Sequence, residues 1–123
     1  MLKLVGVKKR LGNQAVLQGV DLTIPAGKLT TIIGRSGEGK SVLLKHMIGL
    51  LQPDEGQVWV GDVDISRLHG RPLNEIRKRF AMLFQGAALF DSMSVFENIA
   101  FPLKEKMRMT GAAVTTRVEE MLE

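Results

Sequence analysis

A chain of 123 residues, 45% hydrophobic and 24% charged, has the size and apolar content of one ordinary domain with a buried core. Its formal net charge is +4, partly in Lys8-Lys9-Arg10 and Arg77-Lys78-Arg79, and these short blocks read as solvated faces. The few aromatics are not interleaved with them, so no single-strand stacking platform and no nucleic-acid partner is expected. The absence of cysteine excludes a disulfide framework or a thiolate metal site.

Residues 1–7 are too short for a signal-peptide apolar region and are followed by charge, so no targeting segment is expected. Residues 2–7 and 20–24 alternate in apolar character, as half-buried strands do. The turn Pro25-Ala26-Gly27-Lys28 leads into an apolar run at 29–33, which predicts a β-hairpin over 20–33. Gly34-Arg35-Ser36-Gly37-Glu38-Gly39-Lys40-Ser41 follows, and residues 40–51 read as a largely buried helix. Pro53-Asp54-Glu55-Gly56 is a turn before a strand at 57–60, which residues 61–65 are expected to continue after a bend. A polar, basic helix or turn spans 67–78. Residues 80–84 form a short apolar strand ending at Gln85-Gly86. From Ser92 the pattern is helical: Ser94 is an N-cap with Glu97 three residues on. Pro102 is expected to interrupt that helix, and Thr110 to cap a last one running to Glu123. No run reaches the ~18 apolar residues that span a bilayer, so any membrane connection is expected through a partner.

The segment 34–41 carries the chemistry. It fits G-x-x-x-x-G-K-[ST] between an expected strand and an expected helix, the context the pattern requires. Its glycines let successive N–H groups turn toward phosphate oxygens, and the helix N-terminus adds partial positive charge there. Lys40 offers an ammonium to the β- and γ-phosphates, and Ser41 a hydroxyl to Mg²⁺. A bound nucleoside triphosphate is the expectation. Its contacts are Gly34, Ser36, Gly37, Glu38, Gly39, Lys40, Ser41 and Val42. Because a carboxylate facing a triphosphate repels it, the Glu38 side chain is expected to point outward, leaving only its N–H for the ligand.

The narrower pattern G-x-S-G-x-G-K-S, residues 16–27 before it and Pro53-Asp54-Glu55-Gly56 after it together resemble the nucleotide-binding subunit of ATP-binding-cassette (ABC) transporters along the whole chain. Residues 41–51 and 82–93 resemble one branch more closely, the ATPase of bacterial lipid-asymmetry (Mla-type, or toluene-tolerance) transporters. The resemblance implies an α/β P-loop NTPase fold, N-terminal part, with a β subdomain and P-loop core at 1–85 and the Q-loop and start of a helical subdomain at 86–123. It implies ATP and Mg²⁺ as cofactors. Gln85 becomes the Q-loop glutamine, a neutral ligand that completes the Mg²⁺ shell or orients water and can let go without stranding a charge. With Lys40 it is the expected catalytic residue, and with Ser41 the expected metal ligand. The partners implied are a transmembrane permease, whose coupling helix the region 86–103 helps to receive, and a second ATPase copy. The place implied is the cytoplasmic face of the inner membrane, held through the permease.

The sequence also departs from the family. The aromatic that stacks on adenine falls at Leu11, and the chain has no tyrosine, leaving Leu11 and Val16 as apolar contacts. Hydrolysis in the family needs an Asp-Glu ending an apolar strand. Asp54-Glu55 lies in a turn, and Glu119-Glu120 on a terminal helix. No Gly-Gly pair occurs, so the L-S-G-G-Q signature is missing. His46 and His69 are expected to be packing or surface residues, not the switch histidine. The sequence therefore reads as the N-terminal half of a nucleotide-binding domain, cut within the helical subdomain. It reads as an ATPase subunit driving lipid movement through a permease or, alone, as a non-hydrolysing nucleotide-binding module. A small-molecule kinase is disfavoured by the loop spacing and by Phe84-Gln85.

Overall fold

The computed structural model describes every residue except Ala87, which belongs to the stretch 82–93 that carries the closer resemblance and so lies outside the described residues. The chain divides into two units, Met1–Ala81 and Met82–Glu123.

The first unit is built on an antiparallel sheet of β1 (Leu2–Leu11), β2 (Gln14–Ile24), β3 (Glu55–Val60) and β4 (Val63–Asp64), in the order β2-β1-β3-β4. Its hairpin lies upstream of the expected one. β1 and β2 pair from Leu2↔Ile24 to Leu11↔Gln14 around Gly12-Asn13, with Gly12 at φ 58°. A two-residue loop whose first position has positive φ suits the twist of paired strands, and glycine takes it without strain. Residues 29–33 form no strand among the described residues, and Leu29 and Ile33 are 96% and 90% exposed. Apolar character there has found no neighbouring strand to pair with.

A bulge shapes the sheet. The register slips between Leu4 and Val7, so both point into the core although three residues apart. Gly6 donates its N–H to Asp21 (2.8 Å) inside the bulge. β3 passes so close that a Cβ on Gly56 would stand 2.5 Å from the carbonyl oxygens of Val5 and Gly6, which makes glycine obligatory there. Residues 61–65 do not extend β3. Gly61, at φ 62°, turns the chain back so that Val63 faces Val60 in β4.

α1 (Lys40–Met47) is a turn shorter than expected. Gly49, at φ 68°, ends it with paired bonds: Leu50 N–H to Lys45 O (2.8 Å) and Gly49 N–H to His46 O (3.0 Å). α2 (Gly70–Arg77) follows, and its Arg77 guanidinium donates to the Gly49 carbonyl. Leu4, Val7, Leu17, Leu43, Met47, Val58, Val60, Ile65 and Leu73 form the core between sheet and helices.

The second unit is a helix pair, α3 (Val95–Glu105) and α4 (Ala112–Leu122), packed through Ala100, Leu103, Val114 and Val118. Ser94 caps α3 as expected: its hydroxyl accepts from Glu97 N–H (3.2 Å), while the Glu97 carboxylate accepts from Ser94 N–H (2.7 Å). Pro102 does not interrupt the helix, which continues through it to Glu105 and forgoes one backbone bond. Nor does Thr110 cap α4; Gly111 is its N-cap, in a backbone conformation (φ 57°, ψ −138°) that a side chain would oppose. Residues 80–84 form no strand among the described residues. No helix among the described residues is long and apolar enough to cross a membrane.

Candidate nucleotide-binding site

The loop 34–39 enters α1 through Gly39, whose left-handed backbone (φ 89°, ψ 9°) makes it the N-cap. Gly37 also takes positive φ (83°). Residues of this handedness turn consecutive N–H groups to one side, forming an anion-binding concavity. A Cβ on Gly39 would lie 2.7 Å from Val16 Cγ1, so β2 closes against the end of the loop. The first helical bond runs from Leu43 N–H to Gly39 O (2.8 Å). The N–H groups of Lys40, Ser41 and Val42 therefore stand at the open end of the helix, without an acceptor four residues back within it. Lys40 folds its ammonium over the loop, donating to Gly34 O (2.7 Å) and Arg35 O (2.5 Å).

Glu38 behaves differently from the expectation. Its carboxylate does not point away; it bends back and accepts the Arg35 N–H at 2.8 Å. The Glu38 N–H in turn makes a long contact to Arg35 O (3.4 Å). The cause is local: Arg35 N–H has an acceptor three residues ahead, as in a capping box. A charge-assisted bond of this kind is shorter and stronger than a neutral one.

Val16 lies beside the loop, while Leu11 sits at the tip of the same hairpin and is 44% exposed. Ser36 and Ser41 are exposed. Open N–H groups, an ammonium and a serine hydroxyl suit a triphosphate with a hard, oxygen-seeking cation such as Mg²⁺. The chemistry of the loop fits both expected cofactors.

Gln85 lies in the second unit, exposed in a turn. Residues 90–94 are held by Asn98, a residue that sequence reasoning passed over. Asn98 Oδ1 accepts Phe90 N–H (2.8 Å), and its amide donates to the carbonyls of Phe90 (3.1 Å), Met93 (3.1 Å) and Ser94 (3.0 Å). The signal was an amide within the apolar run Phe96 to Phe101. Phe90 and Phe101 meet with ring centroids 5.1 Å apart, tilted by 60°. They line a groove of about 380 Å³ with Met82, Phe84, Ala88, Leu89, Asn98, Pro102, Glu105 and Lys106. A larger hollow, about 450 Å³ on the outer sheet face around Lys3 and Trp59, holds none of the expected site residues.

The discounted candidates have structural work. Asp54 accepts from Lys9 Nζ (2.8 Å) and Arg10 N–H (2.7 Å), which together hold its carboxyl below the usual range, and Glu55 pairs with Lys8 (2.7 Å). The acidic pair thus fastens β3 to β1 and neutralises part of the basic block. His46 is fully buried, donating from Nδ1 to Val42 O (2.7 Å), the tautomer that a carbonyl acceptor requires. His69 is the N-cap residue of α2 and makes long contacts to Gln52 (3.4 and 3.5 Å).

Residues 17–123 match the ABC transporter family. The chain belongs to that family. It is 42% identical to mkl of Mycobacterium bovis, named a probable ribonucleotide transport ATP-binding protein, over 95% of this chain and 33% of that one. It is 38% identical to MlaF of Escherichia coli K12, named an intermembrane phospholipid transport system ATP-binding protein, over 91% of this chain and 42% of that one. MlaF of Haemophilus influenzae is 45% identical over 76% of this chain and 36% of the relative. The chain thus spans between 33% and 42% of the length of these curated relatives. Among solved structures, the dimeric ATP-binding cassette MJ0796 in a post-hydrolysis state with ADP and Pi superposes with a TM-score of 0.82. The identity there is 33%, covering 99% of this chain and 56% of that one. The fold is therefore that of an ABC ATPase cassette, with an antiparallel sheet and helices.

Proposed function

We propose that this chain is the ATP-binding part of an ABC transporter that couples ATP binding and hydrolysis to phospholipid movement through a membrane permease. The observation that carries the reading is the loop at α1, with Lys40 bridging Gly34 and Arg35 and the first helical N–H groups open. In this reading Gly34, Ser36, Gly37, Glu38, Gly39, Lys40, Ser41 and Val42 hold the phosphates, Val16 and Leu11 contact adenine, and Ser41 and Gln85 supply oxygens to Mg²⁺. Bound Mg²⁺ would neutralise charge on the phosphates. Lys40 and Gln85 act at the transferring phosphate, and Gln85 couples its occupancy to the groove lined by Phe90 and Phe101. That groove receives the permease, within a division into residues 1–85 and 86–123. A second ATPase copy completes the assembly on the cytoplasmic side of the inner membrane. These 123 residues contain no Gly-Gly pair and no Asp-Glu closing an apolar strand. By themselves they act as a nucleotide-binding module without steady turnover.

Titration with ATP and Mg²⁺ tests the core of this reading. Lys40→Ala is expected to weaken binding at least about tenfold by removing a charge-assisted contact. Gly39→Val is expected to do as much, since its side chain would enter the space of Val16 Cγ1. Unchanged affinity in both variants overturns the assignment. For transport, the full-length protein with its permease should show lipid-stimulated ATP turnover that Gln85→Ala lowers more than it lowers ATP affinity. Stimulation by ribonucleotides and not by phospholipid vesicles would move the substrate to the class named for mkl.

A further inference from the structure

The Glu38 carboxylate is placed where a loop built only to attract phosphate would have no anion. Its Oε2 accepts the Arg35 N–H at 2.8 Å and occupies the space beside Gly34, 2.8 Å from where a Cβ would stand. Arg35 is thus gripped at both ends, its N–H by Glu38 and its carbonyl by Lys40 Nζ (2.5 Å). Among the described residues no basic side chain lies within 4.0 Å of the carboxylate.

We infer that Glu38 is a resident anion of the phosphate loop, a residue that lowers affinity for nucleotides in proportion to their phosphate charge. The inference rests on the nucleotide-binding reading above. Its carboxylate sits on the same short loop as the ammonium and the open N–H groups, and like charges at such separations repel measurably even near a surface. Because Glu38 is exposed, the repulsion is screened by water and salt and is modest. A loop that carries its own anion releases nucleotide more readily and discriminates less between triphosphate and diphosphate. A carboxylate that only braced the loop would have the opposite effect, since removing a brace costs affinity.

The test is titration of the full-length protein with ATP and with ADP, both with Mg²⁺, at low and at high salt. Glu38→Gln keeps the length and an acceptor for Arg35 N–H but removes the charge. It is expected to tighten ATP binding about threefold or more at low salt, with a smaller gain for ADP. The gain should shrink toward unity as salt shortens the range of the repulsion. Glu38→Asp keeps the charge but falls short of Arg35 N–H, and is expected to show no tightening of ATP binding. Unchanged or weaker binding by Glu38→Gln overturns the inference, as does a gain in Glu38→Asp equal to that in Glu38→Gln. Lys40→Ala, run beside them, separates the two failures. If it too leaves affinity unchanged, the nucleotide site itself is misplaced; if it weakens binding while Glu38→Gln does not tighten it, only the role of Glu38 falls.

Discussion

Leu4 and Leu29 are the same residue in runs of similar apolar character, yet one is 1% exposed and the other 96%. Leu4 sits in β1 between two partners, β2 and β3, with α1 and α2 residues completing its core. Leu29 lies in a run with no strand beside it among the described residues. Strand-forming residues set a preference worth fractions of a kcal/mol, whereas paired backbone and a covered face decide the outcome. The comparison shows that the same sequence signal becomes structure only where a neighbour is supplied.

The sharpest way to break this contrast is to truncate both side chains. Leu4→Ala removes buried methyl groups from a packed core and is expected to cost about 2–5 kcal/mol. Leu29→Ala, from an exposed position, should change stability by less than about 0.5 kcal/mol. Urea denaturation followed by the fluorescence of Trp59, the single tryptophan, reads the first unit directly. Equal losses from the two substitutions would mean that Leu29 is buried in solution.

A second consequence concerns surface. Leu29, Ile33 and Leu83, the last 85% exposed, leave apolar groups in water. Exposed apolar groups of this size, on backbone without strand partners, favour association. The 123-residue chain is expected to self-associate with rising concentration in sedimentation experiments, and the double substitution Leu29→Ser, Ile33→Ser to reduce that association severalfold. A monomer at all concentrations would show that these residues are covered by the chain itself.

The sequence was most legible where the signal is short-range. The glycine loop ahead of α1 and the Ser94 to Glu97 capping box each rest on residues within a few positions of one another, whereas the alternation of β1 holds only to Leu4, where the bulge shifts it. The errors arose where a distant partner or a glycine decides. Gly12-Asn13 and not Pro25-Ala26-Gly27-Lys28 closes the hairpin, because β1 rather than residues 29–33 lies beside β2. α1 stops at Gly49, since a left-handed residue satisfies the end carbonyls better than another helical turn. Glu38 turned inward because a local N–H outcompetes water for it, a preference that charge alone does not reveal. Asn98 was missed because an amide in an apolar helix announces itself only once the loop it holds is folded.

The smallest expected effect also compares the two units, through one acid in each. The carboxyls of Asp54 and Glu97 are both held below their ordinary range, Asp54 first by the Lys9 side chain and then by Arg10 N–H. Glu97 is held first by the N–H of Ser94 and then by its hydroxyl. A carboxyl whose folded value is depressed adds stability that is fully present above its unfolded value, about 4, and lost as pH falls through the folded one. Asp54→Asn should therefore flatten the acid limb of the Trp59-monitored transition, and Glu97→Gln that of the helical circular dichroism signal. In each case the gap from the parent protein closes below pH of about 4. Removing the cap itself, Ser94→Ala, is expected to cost α3 about 1 kcal/mol at neutral pH. If Glu97→Gln instead moved the Trp59 signal and left the helical one alone, the acid would be supporting the sheet unit rather than its own helix, and the capping account of α3 would fail.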